Sequence, residues 1–139
     1  MKQTLLFVIS ASLLACGGEP QPPLEVSDVI VMETMPGMKM TAGYMTLGNN
    51  SNEDIRITRV TSPQFAAVEL HETIIENEIA RMREIPELLV PASGIVTLQR
   101  GGKHLMLMRQ SDDSNRVTLQ LWSGDTMLLT VEVPYTKRQ

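Results

Sequence analysis

Short segments in which apolar and polar residues alternate recur along most of this chain, and this alternation constrains the fold most strongly. A period of two suits a β-strand with one buried face, whereas a helix would need apolar residues three and four positions apart. Polar clusters such as "NNSNED" and "QSDDSN" separate the segments and favour turns. The pattern predicts an all-β, single-domain fold, an antiparallel β-sandwich or small barrel. The predicted strands begin near Val26, Ala42, Asp54, Ala66, Glu78, Gly94, Lys103, Arg116 and Thr126.

The N-terminal residues predict export and lipidation. Lys2 precedes an apolar run, Leu5 to Leu14, that is too short to span a bilayer as a mature helix and is typical of an export signal. The run leads into "LLAC", which resembles the bacterial lipobox, in which the cysteine becomes the lipidated first residue. We therefore expect a lipoprotein anchored to a membrane of the bacterial cell envelope and facing the periplasm. An ordinary signal peptide with an incidental cysteine is the alternative.

These features divide the chain into four parts. Residues 1–15 are the expected signal peptide, and residues 16–25 form a Gly- and Pro-rich flexible tether after the lipidated Cys16. The expected folded domain comprises residues 26–135, and residues 136–139 form a short tail that contains neither Met nor His.

Charge and cysteine content exclude several classes of function. The formal net charge is −4 and both signs are interspersed, so we expect no nucleic acid partner. Cys16 is the single cysteine, so the folded domain has no disulfide, and a site for a soft metal must be built without thiolates. No catalytic triad or CxxC motif is present, and we predict no enzyme activity.

The segment "KHLMLM", Lys103 to Met108, places potential metal ligands on one side of a strand. Side chains alternate between the faces of a strand, so His104, Met106 and Met108 share one face, while the intervening leucines face the core. His104 and Met106 therefore form a pair of soft donors one strand repeat apart.

A second pair of donors lies in "LHETIIENEIARM", which is predicted to form a hairpin that turns around Glu76 and Asn77. If Ile75 faces Glu78, then His71 and Met82 are directly opposed on one face, with Cβ atoms about 5 Å apart. The turn is not of the strong Asn-Gly type, so a slip of two residues is the alternative. Such a slip would leave His71 and Met82 as diagonal neighbours on the same face.

The spacing of these residues resembles that of a known family. Ten residues separate His71 from Met82, twenty-one separate Met82 from His104, and one separates His104 from Met106. This H-x10-M-x21-H-x-M pattern resembles the signature of the PCuAC family, periplasmic copper chaperones associated with the Cu-A centre of cytochrome c oxidase. The resemblance extends from about Met32 to Val133. It implies a cupredoxin-like β-sandwich or small Greek-key barrel, in which these four residues are the ligands of Cu(I).

The chemistry of the ligands agrees with this implication. Thioether and imidazole groups suit Cu(I), whereas zinc more often takes thiolate or carboxylate ligands, and calcium and magnesium take oxygen. All four ligands are neutral, which favours a copper ion that is passed on. We therefore expect a metallochaperone that binds one copper and transfers it by ligand exchange. The expected acceptor is a protein such as cytochrome c oxidase subunit II or another copper chaperone.

Two alternatives remain open at the level of sequence. The same ligands would serve copper scavenging, storage or tolerance without an oxidase client, and a β-sandwich without a metal would use these side chains only for packing. Met38, Met40 and Met108 are further residues that would assist copper binding if they lie near the metal.

Overall fold

The computed structural model of the protein describes residues 21–137, and the regular structure in this range consists of β-strands. None of the residues described forms a helix long and apolar enough to cross a membrane. The strands, in chain order, are β1 (Leu24–Met32), β2 (Met40–Asn49), β3 (Ile55–Ile57), β4 (Arg59–Thr61), β5 (Phe65–Glu76), β6 (Ile79–Glu84), β7 (Leu88–Val90), β8 (Ile95–Leu98), β9 (Lys103–Gln110), β10 (Arg116–Ser123) and β11 (Thr126–Thr136).

Each predicted strand segment contains a strand of the structure, and two differences have local causes. The segment "DIRITRVT" is divided at Thr58, whose backbone N–H donates to Trp122 O, because β3 pairs with β7 whereas β4 pairs with β10. Strand β7 was not predicted, because its three residues lie between Pro86 and Pro91 and are too few to establish an alternation.

Strand β1 begins two residues before the predicted start of the domain. Leu24 is only 5% exposed and pairs with Asn49 of β2, so burial of this side chain extends the strand into the expected tether. The expected signal peptide and Cys16 lie outside the described residues.

The main sheet has nine strands. Their order is β4-β10-β11-β1-β2-β9-β5-β6, and β8 pairs with β2 beside this path. Strands β3 and β7 form a separate two-stranded sheet. The expected all-β fold is confirmed, but the pairing is mixed rather than purely antiparallel, because β1 runs parallel to β11 with Val31 opposite Tyr135. These two strands lie at opposite ends of the described chain, so the long connection that a parallel pair requires is the rest of the domain.

One hydrophobic core contains side chains from strands near both ends of the main sheet and from the smaller sheet. Val60 of β4 belongs to the same cluster as Leu70 of β5, so the long sheet closes around a single interior. Leu105 and Leu107 are fully buried, which confirms that the leucines of "KHLMLM" face the core. Gly43 of β2 lies against them, since a Cβ atom there would be 3.1 Å from Leu107 Cδ1. The histidine and methionines of β9 consequently lie on the opposite face of the sheet.

Candidate functional site

Strands β5 and β9 bring the two histidines of the chain together. In this antiparallel pair His71 lies directly opposite His104, and their ring centroids are 5.8 Å apart. Directly opposed residues share a face of the sheet. The two histidines lie on the face opposite to the one on which Leu105 and Leu107 pack into the core. Two imidazoles that are 33 positions apart in the sequence therefore lie side by side.

The β5–β6 hairpin has a different register from the one predicted. Its turn consists of Asn77 and Glu78, which both have positive φ angles of 51° and 65°. Positive φ at both central residues defines a tight two-residue turn that matches the twist of its strands, so the turn forms one residue later than expected. As a result Met82 lies opposite Thr73, and the prediction that it directly opposes His71 is wrong.

The slip amounts to two residues, so the two side chains stay on the same face. Glu84 now lies opposite His71, and Met82 is its diagonal neighbour, about 7 Å away at the backbone. The alternative register considered from the sequence is therefore the one the structure adopts. A slip of one residue would have moved Met82 to the other face.

Met106 lies on the same face, one strand repeat or about 7 Å from His104. It is flanked by Ala42 of β2 and by Glu69 of β5. The structure thus places all four predicted metal ligands on one face of three adjacent strands: Met82 on β6, His71 on β5, and His104 and Met106 on β9.

In a neutral imidazole one nitrogen carries a proton, and the hydrogen-bond partners of each histidine indicate which nitrogen this is. His104 Nδ1 lies 3.1 Å from Gly102 O, and because a carbonyl only accepts, Nδ1 is the donor and Nε2 keeps its lone pair. His71 Nε2 lies 2.9 Å from the Glu69 carboxylate and donates to it, which leaves the lone pair on Nδ1. His71 Nδ1 is buried and has no hydrogen-bond partner. Each imidazole therefore keeps one nitrogen available to a metal, as ligating histidines do.

The role of Glu69 was missed from the sequence. Glu69 and His71 are two positions apart in a strand and so share a face, and the pattern "ELH" contains the signal for this contact. The carboxylate orients the ring of His71 by accepting a hydrogen bond from Nε2, and Nδ1 on the other side of the ring stays free.

The four residues differ in their exposure to solvent. His104 is 6% exposed, whereas Met82 is 61% exposed on β6, which is an edge strand of the sheet. A methionine side chain is unbranched and flexible, so Met82 can change rotamer without disturbing the core. The histidines thus form the fixed part of the group and Met82 its accessible part.

On the opposite face, Glu72 connects the three strands that carry these residues. Its carboxylate lies 3.1 Å from Lys103 Nζ of β9 and 3.1 Å from an Nη atom of Arg83 of β6. The hydrogen bond from Lys103, followed by that from Arg83, lowers the pKa of Glu72 from its usual value. Ion pairs this exposed stabilise a fold only slightly, so the pairing of the strands beside His71 depends mainly on their backbone hydrogen bonds.

A metal site can also be built only from histidine, cysteine and carboxylate side chains. Between residues 21 and 137, no three side chains among His, Cys, Asp and Glu are arranged to hold a metal ion. Of the additional methionines considered from the sequence, Met40 lies directly opposite Met108, on the face that carries Met106. Met38 precedes Met40 by two residues, and both are nearly half exposed.

The fold is that of PCuAC domains. The copper-bound PCuAC domain from PmoF2 superposes with a TM-score of 0.69 over 84% of this chain and 94% of that domain, at 17% identity. Two solution structures of DR1885 from Deinococcus radiodurans are also similar. The Cu(I) form has a TM-score of 0.65 and 30% identity over 88% of this chain and 83% of DR1885. The apo form has a TM-score of 0.63 and 29% identity over 99% and 95%.

The amino-acid sequence is similar to proteins that are described as putative lipoproteins. The protein described as "Putative lipoprotein Lxx21020" of Leifsonia xyli subsp. xyli is 29% identical over an alignment of 103 positions that covers 70% of this chain. The aligned part spans 62% of the length of that relative. The family model described as "Putative lipoprotein LpqE-like" matches residues 24–135, which include every strand but the last residue of β11. The chain therefore belongs to the LpqE-like family.

Proposed function

We propose that this protein is an extracytoplasmic Cu(I) metallochaperone, which binds one copper between His71, Met82, His104 and Met106. The observation that carries the proposal is the direct pairing of His71 with His104, each with one nitrogen free of a proton, on the face that also carries two thioethers. The similarity to DR1885, which has a Cu(I) form, supports copper as the metal.

The arrangement suits a metal that is handed on. Four neutral ligands leave the positive charge of Cu(I) uncompensated, so the ion is held less tightly than by thiolates. Met82 lies exposed at an edge strand, where the thioether of an acceptor can replace it first. The histidines, of which His104 is buried and His71 partly buried, would release the copper afterwards. This order makes transfer a stepwise exchange of ligands in which the ion is never free in water.

The proposed location and acceptor extend this function. Membership of a lipoprotein family supports lipidation at Cys16, and hence a chain anchored to the membrane of the cell envelope and facing the periplasm. We propose an acceptor such as subunit II of cytochrome c oxidase, at its Cu-A centre, or another copper chaperone. Deletion of the gene should lower oxidase activity, and added copper should restore it. Normal oxidase activity in a copper-limited deletion strain would instead favour scavenging or tolerance.

Anaerobic Cu(I) titration against a competing chelator tests the copper site itself. We expect His71→Ala and His104→Ala to lower the Cu(I) affinity at least tenfold, or about 1.4 kcal/mol. Met82→Leu and Met106→Leu should have smaller effects, since leucine keeps the volume and removes only the sulfur. Met127→Leu is the matched control, because Met127 is also an exposed methionine but lies on β11. Unchanged affinity in both histidine variants would contradict the proposal.

A further inference from the structure

A second group of thioethers lies on the same face as the proposed copper site, towards the end of β9. Met40 of β2 lies directly opposite Met108 of β9, and the next pair along these strands is Ala42 with Met106. Met40 is therefore the cross-strand neighbour of Met108 and the diagonal neighbour of Met106, about 7 Å away at the backbone. Met40, Met106 and Met108 therefore form one continuous group on this face, and Met38 precedes Met40 by two residues, just before the strand begins.

Core packing does not account for these residues. Met40 is 45% exposed and lies on the face of the sheet away from the leucine core, and Met38, in the segment before β2, is 46% exposed. Each methionine of β9 has a small neighbour on one side only: Ala42 lies beside Met106 and Ala67 beside Met108, while Glu69 and Met40 flank them on the other side. Both methionines are only partly buried. Methionine more often fills gaps in a hydrophobic core than lies partly exposed on an outer face of a sheet.

The geometry separates this group from the histidine pair. His104 and Met108 are four residues apart on one strand, which is about 13 Å along the backbone. One ion bound between the two histidines is therefore too far away to be shared with the pair formed by Met40 and Met108. Met106 lies midway, within one strand repeat of both groups.

The surroundings of the group favour a soft cation. Thioethers select Cu(I) over harder divalent ions. Met38 lines a cleft of about 260 Å³ together with Asp112 and Asp113, whose carboxylates add negative charge near Met38, whereas Met40 and Met108 do not line this cleft. Lys39, Gln110 and Ser111 complete the cleft, so its charge is mixed rather than purely acidic.

We propose that Met40 and Met108, with Met38 as a third donor, form a second Cu(I) site that uses only thioether ligands. This inference rests on the proposed function for its metal and extends it to a second position. Without an imidazole, the site binds copper more weakly than the histidine site. It receives an incoming ion at the exposed end of the face, and Met106 connects it with the histidines. The chain then holds two cuprous ions at saturation, rather than the one expected from its sequence.

The test is a titration of the full-length protein in detergent with Ag(I), a monovalent soft ion that is not oxidised in air, followed by the methionine methyl resonances in NMR spectra. In the wild type we expect Met82 and Met106 to shift with the first equivalent, and Met40 and Met108 with the second. In the His71→Ala/His104→Ala variant, the resonances of Met40 and Met108 should still shift.

Substitution of the thioethers completes the test. In the double histidine variant, Met40→Leu with Met108→Leu should weaken Ag(I) binding at least tenfold, while Met127→Leu should leave it unchanged. If Met40 and Met108 do not shift at saturation in either background, the second site does not exist. If they shift while Met82 stays unchanged in the wild type, the second site stands and the proposed histidine site fails. A loss of the same size in Met127→Leu would show non-specific binding and overturn the inference.

Discussion

At the scale of single residues, the proposed function depends on where the protons of two imidazoles lie. Gly102 O and the Glu69 carboxylate each accept a hydrogen bond from one ring nitrogen, which leaves a lone pair on the other nitrogen of the neutral ring. The alternation of side chains could place each histidine on one face with a methionine, and only the resemblance to the PCuAC family joined the two pairs into one site. The sequence could not assign the protons, because Gly102 O and the Glu69 carboxylate approach the rings only in the folded chain.

Removal of the Glu69 carboxylate tests this arrangement. We expect Glu69→Leu to lower the Cu(I) affinity by about 10- to 100-fold, the usual cost of losing the partner of a ligating histidine. Glu69→Gln keeps an oxygen that accepts from His71 Nε2 and should retain most of the affinity. The measurement is anaerobic competition for Cu(I), with unfolding by urea as a check on stability.

Glu84→Leu is the matched control for this prediction. Glu84 lies opposite His71 on β6 and would exert a similar long-range effect of charge, but the Glu69 carboxylate is the one hydrogen-bonded to the ring. An equal loss of affinity in both variants would show that negative charge, rather than orientation of the ring, is what matters.

At the scale of elements, the sequence predicts strands and faces better than register. Alternation identified the segments that became strands and placed Leu105 and Leu107 in the core. The register of the β5–β6 hairpin depends on which two residues accept positive φ, and "IENE" allows more than one choice. The partners of strands distant in sequence, such as β1 with β11 or β5 with β9, depend on closure of the whole sheet.

The end of β11 gives a pH dependence that can be measured. The Tyr135 hydroxyl is buried without a hydrogen-bond partner, and burial, with a smaller effect of Asp112, raises the pKa of Tyr135 to about 12. In the unfolded chain the pKa of a tyrosine is about 10. Because the folded state favours the protonated hydroxyl, the stability linked to this proton is fully present below pH 10. It is lost as the pH rises from 10 towards 12.

Tyr135→Phe should remove this dependence. At pH 7 we expect the variant to be as stable as the wild type or up to about 1 kcal/mol more stable, because it removes a buried hydroxyl without a partner. Between pH 10 and 12 the wild type should lose stability relative to the variant. Urea unfolding at several pH values measures both effects. A difference between the two proteins that stays constant from pH 9 to pH 12 would contradict the assignment.

At the scale of the whole molecule, closure of one long sheet produces the proposed site. The two histidines and two methionines come from β5, β6 and β9, and they meet because β9 lies between β2 and β5 in the sheet. One face of β5 and β9 packs into the core through residues such as Leu70 and Leu105, and the opposite face carries the proposed ligands. The chain, a member of the LpqE-like family, shares this architecture with PCuAC domains.

X-ray absorption at the copper edge, on protein loaded anaerobically with one equivalent of Cu(I), tests the central claim most directly. The account predicts a spectrum of Cu(I) with both imidazole nitrogen and thioether sulfur in its first coordination shell. In His71→Ala/His104→Ala the imidazole contribution should disappear, and in Met82→Leu/Met106→Leu the sulfur contribution at one equivalent should fall. A wild-type spectrum without imidazole, or without sulfur, would contradict a shared site for these four side chains.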